Sequence, residues 1–187
     1  MQTFKEINLP SLTERVQEIF WDNINPFLSR PFDHLELSRD NPGHTKMYEV
    51  ISEYPFLGEH MVIFKMPCNF MTAIHVDGFK ERQIRTISCN IPIQGCSPEC
   101  LTEFFEINSN DLFEDHQEHT RLLKPNATAV KIGEYSLDYL PVLVNTQTAH
   151  RVNNTSNTDV RISVSWSVHP DWTFEQIAKI IDLGIIV

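Results

Sequence analysis

The chain is short of cysteine, of positive charge and of long apolar runs, and each shortage excludes a class of protein. Its four cysteines, at 68, 89, 96 and 100, are expected to be reduced thiols in a cytosolic chain rather than a disulfide framework. Cys96-Ser97-Pro98-Glu99-Cys100 has the form of half a zinc knuckle, but no second Cys/His pair stands at the required spacing. His116 and His119 come nearest, in the polar run 114–119, which reads as a solvated acidic loop. No stretch approaches the roughly 20 apolar residues of a membrane span. The opening Met1-Gln2-Thr3-Phe4-Lys5-Glu6 lacks the basic-then-apolar form of a signal peptide, so a cytoplasmic location is expected. Fifteen basic residues against 25 acidic ones leave a net charge of −10, with no local basic cluster. Such a surface repels phosphate backbones. A nucleic-acid partner is not expected; a small-molecule or peptide substrate is. No internal repeat or low-complexity segment occurs.

A length of 187 residues suits one domain able to bury a proper core. The pattern divides it into a helical and irregular N-terminal cover (1–60), a β core (61–168) and a C-terminal helix (169–187). Residues 11–28 read as a helix, with Ser11 as cap and Glu14 as its capping-box partner. Leu12, Val16, Ile19, Phe20, Asn23 and Phe27 form its mostly apolar stripe, and Asn25-Pro26 its end. Residues 29–60 read as irregular, punctuated by Pro31, Pro42, Gly43, Pro55 and Gly58, with a strand or short helix over 46–51. A long loop of this kind is a candidate substrate cover, as is the loop 108–126. Strands are expected over 61–66, 70–76, 85–93, 101–107, 128–132, 140–152 and 159–168. So many short strands at close spacing imply a sandwich or barrel. A closing helix over 171–182 begins at Asp171 or Thr173 and stops before Gly184.

The strand over 159–168 separates two faces. Asp159, Arg161, Ser163, Ser165 and Ser167 fall on one; Val160, Ile162, Val164, Trp166 and Val168 fall on the other. A solvent-facing edge strand would account for the polar face. Small hydroxyls beside one arginine suit a carboxylate pocket better, because the guanidinium fork and a hydroxyl both donate to an anion.

Farther upstream, Ala73-Ile74-His75-Val76-Asp77-Gly78 places His75 and Asp77 on the same face of a strand. Gly78 then permits a sharp turn. An imidazole and a carboxylate so placed are two ligands of a metal site, and His150, in Thr148-Ala149-His150-Arg151, supplies a third. Two histidines and a carboxylate on one side of a metal, with open positions opposite, is the ligand set of non-haem Fe(II) oxygenases. Arg161 stands eleven residues past His150, and Ser163 follows at i+2.

The ordered set His75-x-Asp77, His150, Arg161-x-Ser163 resembles the Fe(II)/2-oxoglutarate-dependent oxygenase superfamily, over about residues 62–168. The resemblance implies a double-stranded β-helix (jelly roll), mainly β, with the N-terminal helix packed outside it. It implies Fe(II) held by His75, Asp77 and His150, and 2-oxoglutarate held through its distal carboxylate by Arg161 and Ser163. Asn90, inward beside Ser88, is a further candidate contact to the cosubstrate. O2 would be the second cosubstrate, and 2-oxoglutarate would leave as succinate and CO2. Asp77, where halogenating relatives have a small residue, implies hydroxylation of an unactivated C–H of an amino-acid side chain, peptidyl or free, or of a similar small molecule. Two alternatives stay open: a cupin-type metal enzyme that uses no 2-oxoglutarate, and a non-catalytic jelly-roll binding module.

Overall fold

The computed structural model describes residues 2–24, 33–77, 86–115 and 120–184. Its strands are β1 (Phe4–Glu6), β2 (Asp33–Glu36), β3 (Leu57–Met66), β4 (His75–Asp77), β5 (Ile87–Gln94), β6 (Leu101–Ile107), β7 (Leu112–Asp115), β8 (Thr120–Leu123), β9 (Ala129–Ser136), β10 (Val142–Asn145), β11 (Ala149–Asn153) and β12 (Arg161–Val168). Three α-helices accompany them: α1 (Pro10–Asn23), α2 (Thr45–Glu53) and α3 (Phe174–Asp182). The strands form two six-stranded antiparallel sheets, ordered β1-β10-β5-β12-β3-β2 and β7-β8-β4-β11-β6-β9. This is the mainly β, jelly-roll-like sandwich expected from the sequence, with an N-terminal and a short C-terminal helix. Among the described residues, no helix is long and apolar enough to cross a membrane.

The core sits in two main places, with a third, small cluster of Val76, Phe105 and Ala149 in the second sheet. The larger part covers the outer face of the β12-containing sheet, where Ile162, Val164 and Trp166 pack with Leu12, Val16 and Phe20 of α1, Met47 and Val50 of α2, and Ile177 of α3. The smaller part lies between the sheets: Phe104, Tyr135, Leu137, Val142 and Val144, with Phe4 packed against them. Phe4 stacks on Phe104 at 5.7 Å between ring centroids and lies 5.1 Å from the Tyr135 ring. With helices over the apolar face of β12, its polar face turns inward. Arg161, Ser163, Ser165 and Ser167 are all buried, which rules out the solvent-edge alternative.

Several expected boundaries need correction. Helix α1 starts one residue earlier than expected: Pro10 occupies the first turn and Leu9 is the N-cap, with no side-chain cap bond. A proline in the first turn has its φ preset and no N–H to satisfy, so Ser11 is not needed as a cap. Ser11 instead places its hydroxyl 3.1 Å from that of Tyr54. The helix ends at Asn23; Asn25-Pro26 and Phe27 lie outside the described residues. The 33–60 stretch is not irregular. It forms β2 on the edge of β3, and α2, whose Met47 and Val50 are core residues. The 108–126 stretch is no plain loop either, for β7 and β8 pair there and β8 borders β4. The expected strand over 70–76 is a strand only at His75–Asp77, with an isolated bridge from Met71 to Asn153 before it. The expected strand over 140–152 is two strands in different sheets, parted by the Asn145–Thr148 turn. There Asn145 accepts from the Gln147 N–H through its side chain and from the Thr148 N–H through its carbonyl, a local side-chain turn that competes with a continuous strand. Helix α3 does begin at Thr173, in a full capping box with Gln176.

Beside Arg161 the β5–β12 ladder shifts register between Ile162 and Ser163. Pro92, opposite Ser163, has no N–H for the ladder, and bulges re-aim nearby side chains. Gly95, at φ +60°, lies so close to the start of β12 that a Cβ would stand 2.1 Å from the Val160 carbonyl oxygen. Only glycine fits there.

Candidate metal centre and anion pocket

In the second sheet β4 and β11 are neighbours, with His75 directly opposite His150. Both imidazoles are fixed the same way. His75 Nδ1 lies 2.9 Å from the Ala73 carbonyl, and His150 Nδ1 lies 2.9 Å from the Thr148 carbonyl. A carbonyl only accepts, so each Nδ1 carries a proton; in the neutral ring that leaves Nε2 with the lone pair. The two Nε2 atoms stand 3.7 and 3.8 Å from the same Asp77 Oδ1, and the ring centroids are 4.4 Å apart. The ligand atoms of all three residues lie within 4.8 Å of one another. The His–Asp separations are too long for hydrogen bonds. They are slightly wider than the roughly 3.0–3.4 Å between atoms that share a divalent metal at about 2.1 Å. Two neutral imidazoles with oriented lone pairs and one carboxylate fit a first-row divalent metal. Asp77 is only 7% exposed, like His150. Gly78, His116 and His119 lie outside the described residues.

Arg161, at the head of β12 in the facing sheet, is 4% exposed. Among the described residues no carboxylate pairs with it, and its Nη1 has no hydrogen-bond partner. Its neighbours are the thiols of Cys100 and Cys96 and the phenol of Tyr135. Burial alone would lower the guanidinium's pKa, but these groups outweigh it and hold it above its ordinary value. Burial pushes Cys96 up to about 11, with Arg161 offsetting part of the rise, and raises Cys100 and Tyr135 in the same way. At neutral pH, Arg161 is therefore a buried cation among neutral groups. Such a charge is costly unless an anion joins it.

The other expected contacts lie on the same inner surface. Ser163 is buried one pleat along from Arg161. Asn90 donates from Nδ2 to the Tyr135 hydroxyl at 2.9 Å and accepts from the Ser88 hydroxyl at 3.3 Å. Tyr135, having accepted from Asn90, keeps its own proton to donate. Tyr135 and Cys100 were not picked out from the sequence. The expected strand over 128–132 stopped short of Tyr135; its signal was the continued strand pattern past Gly133. Cys100 lies in the connection between β5 and β6 and is fully buried beside Arg161.

No family model matches the chain, and no curated protein matches it. Among solved structures it is similar to a prolyl-4-hydroxylase from Pseudomonas putida, at 10% identity over 89% of this chain and 91% of that one, with a TM-score of 0.51. It is also similar to AviO1 from Streptomyces viridochromogenes Tue57, at 12% identity over 91% of each chain and a TM-score of 0.47. For E. coli ycfD the figures are 11% identity, 81% of this chain, 38% of that one and a TM-score of 0.41. The likeness to the prolyl-4-hydroxylase is one of fold.

Proposed function

We propose that this chain is an Fe(II)/2-oxoglutarate-dependent oxygenase that hydroxylates an unactivated C–H of an amino-acid side chain, peptidyl or free, or of a similar small molecule. The observation that carries the reading is the buried Arg161, with no carboxylate partner and an unpartnered Nη1 among the described residues, facing the sheet that holds the His75, Asp77 and His150 ligand atoms. A metal site alone suits many reactions; a metal site with a separate cationic anchor suits a cosubstrate that chelates at one end and is anionic at the other. His75, Asp77 and His150 would hold the iron. Arg161 would grip the far carboxylate through a bidentate fork, with Ser163 and Tyr135 as further donors and Asn90 orienting Tyr135. Bound together, iron, 2-oxoglutarate and O2 supply the oxidising power; the protein supplies ligands, orientation and a dry surrounding. The acidic surface favours a small or peptidic substrate over nucleic acid.

Anaerobic titration with Fe(II) and then 2-oxoglutarate tests this. The expected result is a weak visible charge-transfer band that needs both additions. Metal binding with no response to 2-oxoglutarate would instead mark a cupin-type metal enzyme, and binding of neither a non-catalytic module.

A further inference from the structure

We infer that Gln147 and Arg121 are positioning residues for the metal carboxylate, tying Asp77 to the turn that delivers His150; this rests on the metal site proposed above. Gln147 Nε2 donates to the Asp77 backbone carbonyl at 3.1 Å. Its Oε1 accepts from Arg121 Nη2 at 3.3 Å. The amide orientation is fixed by chemistry, since the carbonyl only accepts and the guanidinium only donates. The neighbouring residues of the turn act on the same two ligands. The Asp77 N–H donates to the Thr146 carbonyl at 3.2 Å, and Thr148 offers the carbonyl that fixes the His150 Nδ1 proton.

Three consecutive residues, Thr146, Gln147 and Thr148, thus hold both peptide groups of Asp77 and the tautomer of His150. Arg121 adds a third strand to the assembly: it pairs with Val76 in the β4–β8 ladder, so its side chain lies behind the metal face, where Gln147 meets it. The β4 strand is only three residues long, and such a short strand has few ladder bonds of its own to fix the Asp77 peptide. The Gln147 amide adds a side-chain bond at the Asp77 carbonyl. Its removal frees Asp77 to rotate away from the two Nε2 atoms.

The test is Co(II) binding to the purified full chain, read by the visible d–d spectrum and by a dissociation constant, with thermal melting alongside. Thr72→Val is the control, since it removes only the hydroxyl that accepts the Val152 N–H at the far end of β11. Gln147→Ala is expected to weaken Co(II) about tenfold, the lower end of the usual effect of losing an outer contact to a ligand, and to alter the spectrum. Arg121→Met, which keeps Gln147 but not its orienting donor, is expected to shift both in the same direction by less. Thr72→Val is expected to lower the melting temperature and leave affinity and spectrum as in wild type. The inference is overturned if wild type binds Co(II) while folded Gln147→Ala, or folded Arg121→Met should the alanine variant not fold, keeps the wild-type affinity and spectrum. Wild type that binds no Co(II) overturns the metal site itself, a distinguishable failure.

Discussion

Replacing Arg161 by methionine separates binding from stability. The side chain is 4% exposed, carries a full charge, and has a nitrogen with no partner. Without its anion it is a buried cation held at a cost, and swapping such a charge for an apolar chain of similar length is often neutral or stabilising. The metal-free variant is therefore expected to melt at the wild-type temperature or above it. With 2-oxoglutarate the order reverses. Removing one member of a buried charge pair costs about 2–5 kcal/mol, some 30- to several-thousand-fold in affinity. With metal present and 2-oxoglutarate at about 100 times its wild-type dissociation constant, linkage stabilises wild type by about 2.7 kcal/mol. For a chain of this size that is a rise of roughly 5–11 °C. At the same concentration the variant gains less than about 1 kcal/mol, a rise of at most about 3 °C. A melting series with and without 2-oxoglutarate, plus a 2-oxoacid lacking the far carboxylate, gives the readout. The shorter acid is expected to shift both proteins alike and weakly, and Arg161→Lys to recover part of the response, since an ammonium keeps the charge and loses the fork. An equal 2-oxoglutarate shift in wild type and folded Arg161→Met refutes the cosubstrate assignment. A lower melting temperature without a cosubstrate-specific defect assigns Arg161 a structural role.

Other expectations follow from single contacts. Asp77→Ala is expected to abolish turnover and weaken metal binding while changing the melting temperature little; full oxygenase activity in that variant would refute the triad. Glu103, buried between Lys131 at 2.7 Å and Arg151 at 2.6 Å, has its pKa raised by burial but lowered further by those two donors, for a net depression below 4.5. A depressed carboxylate stabilises above its unfolded pKa and loses that contribution as pH falls through the folded value. Glu103→Gln should thus cost about 1–2 kcal/mol at neutral pH, less than a fully buried pair because Lys131 and Arg151 are partly exposed, and in acid-melting curves the difference from wild type should shrink as pH falls below the ordinary carboxylate range and vanish below the depressed folded value. Gly95→Ala should destabilise by about 3 kcal/mol or more, since left-handed strain alone costs about 1–3 and its Cβ would meet a backbone oxygen; denaturant unfolding measures it. Cys96, raised to about 11, should resist alkylation in the native protein at pH 8 and react faster as pH nears 11, as timed labelling with mass spectrometry would show.

The legible parts of the sequence were those with a period or a fixed offset. Alternation over 161–168 showed which face of β12 is polar, and the i, i+2 step showed that His75 and Asp77 share a side. Turn chemistry was harder to read. The strand expected over 140–152 hides a sheet change, because Asn145 turns the chain with one side-chain and one main-chain bond that carry no hydrophobic signature. Strands β7 and β8 are four residues each, too short for alternation to register. Tyr135 and Cys100 reach Arg161 only through the stacking of two sheets, a contact that no local pattern contains.

That stacking has a consequence for ligand length. The three metal-facing side chains belong to one sheet and Arg161 to the other, so the span between them belongs to no single strand. The stacked rings of Phe4 and Phe104 fill part of the gap between the layers. If the proposed cosubstrate bridges the two, the sandwich acts as a gauge whose jaws are its sheets, and a dicarboxylate one carbon too short or too long is expected to meet one jaw and miss the other. The Phe104 ring lies 6.2 Å from that of His150, and thinning that filling with Phe104→Leu is expected to reset the opening and shift the preferred chain length.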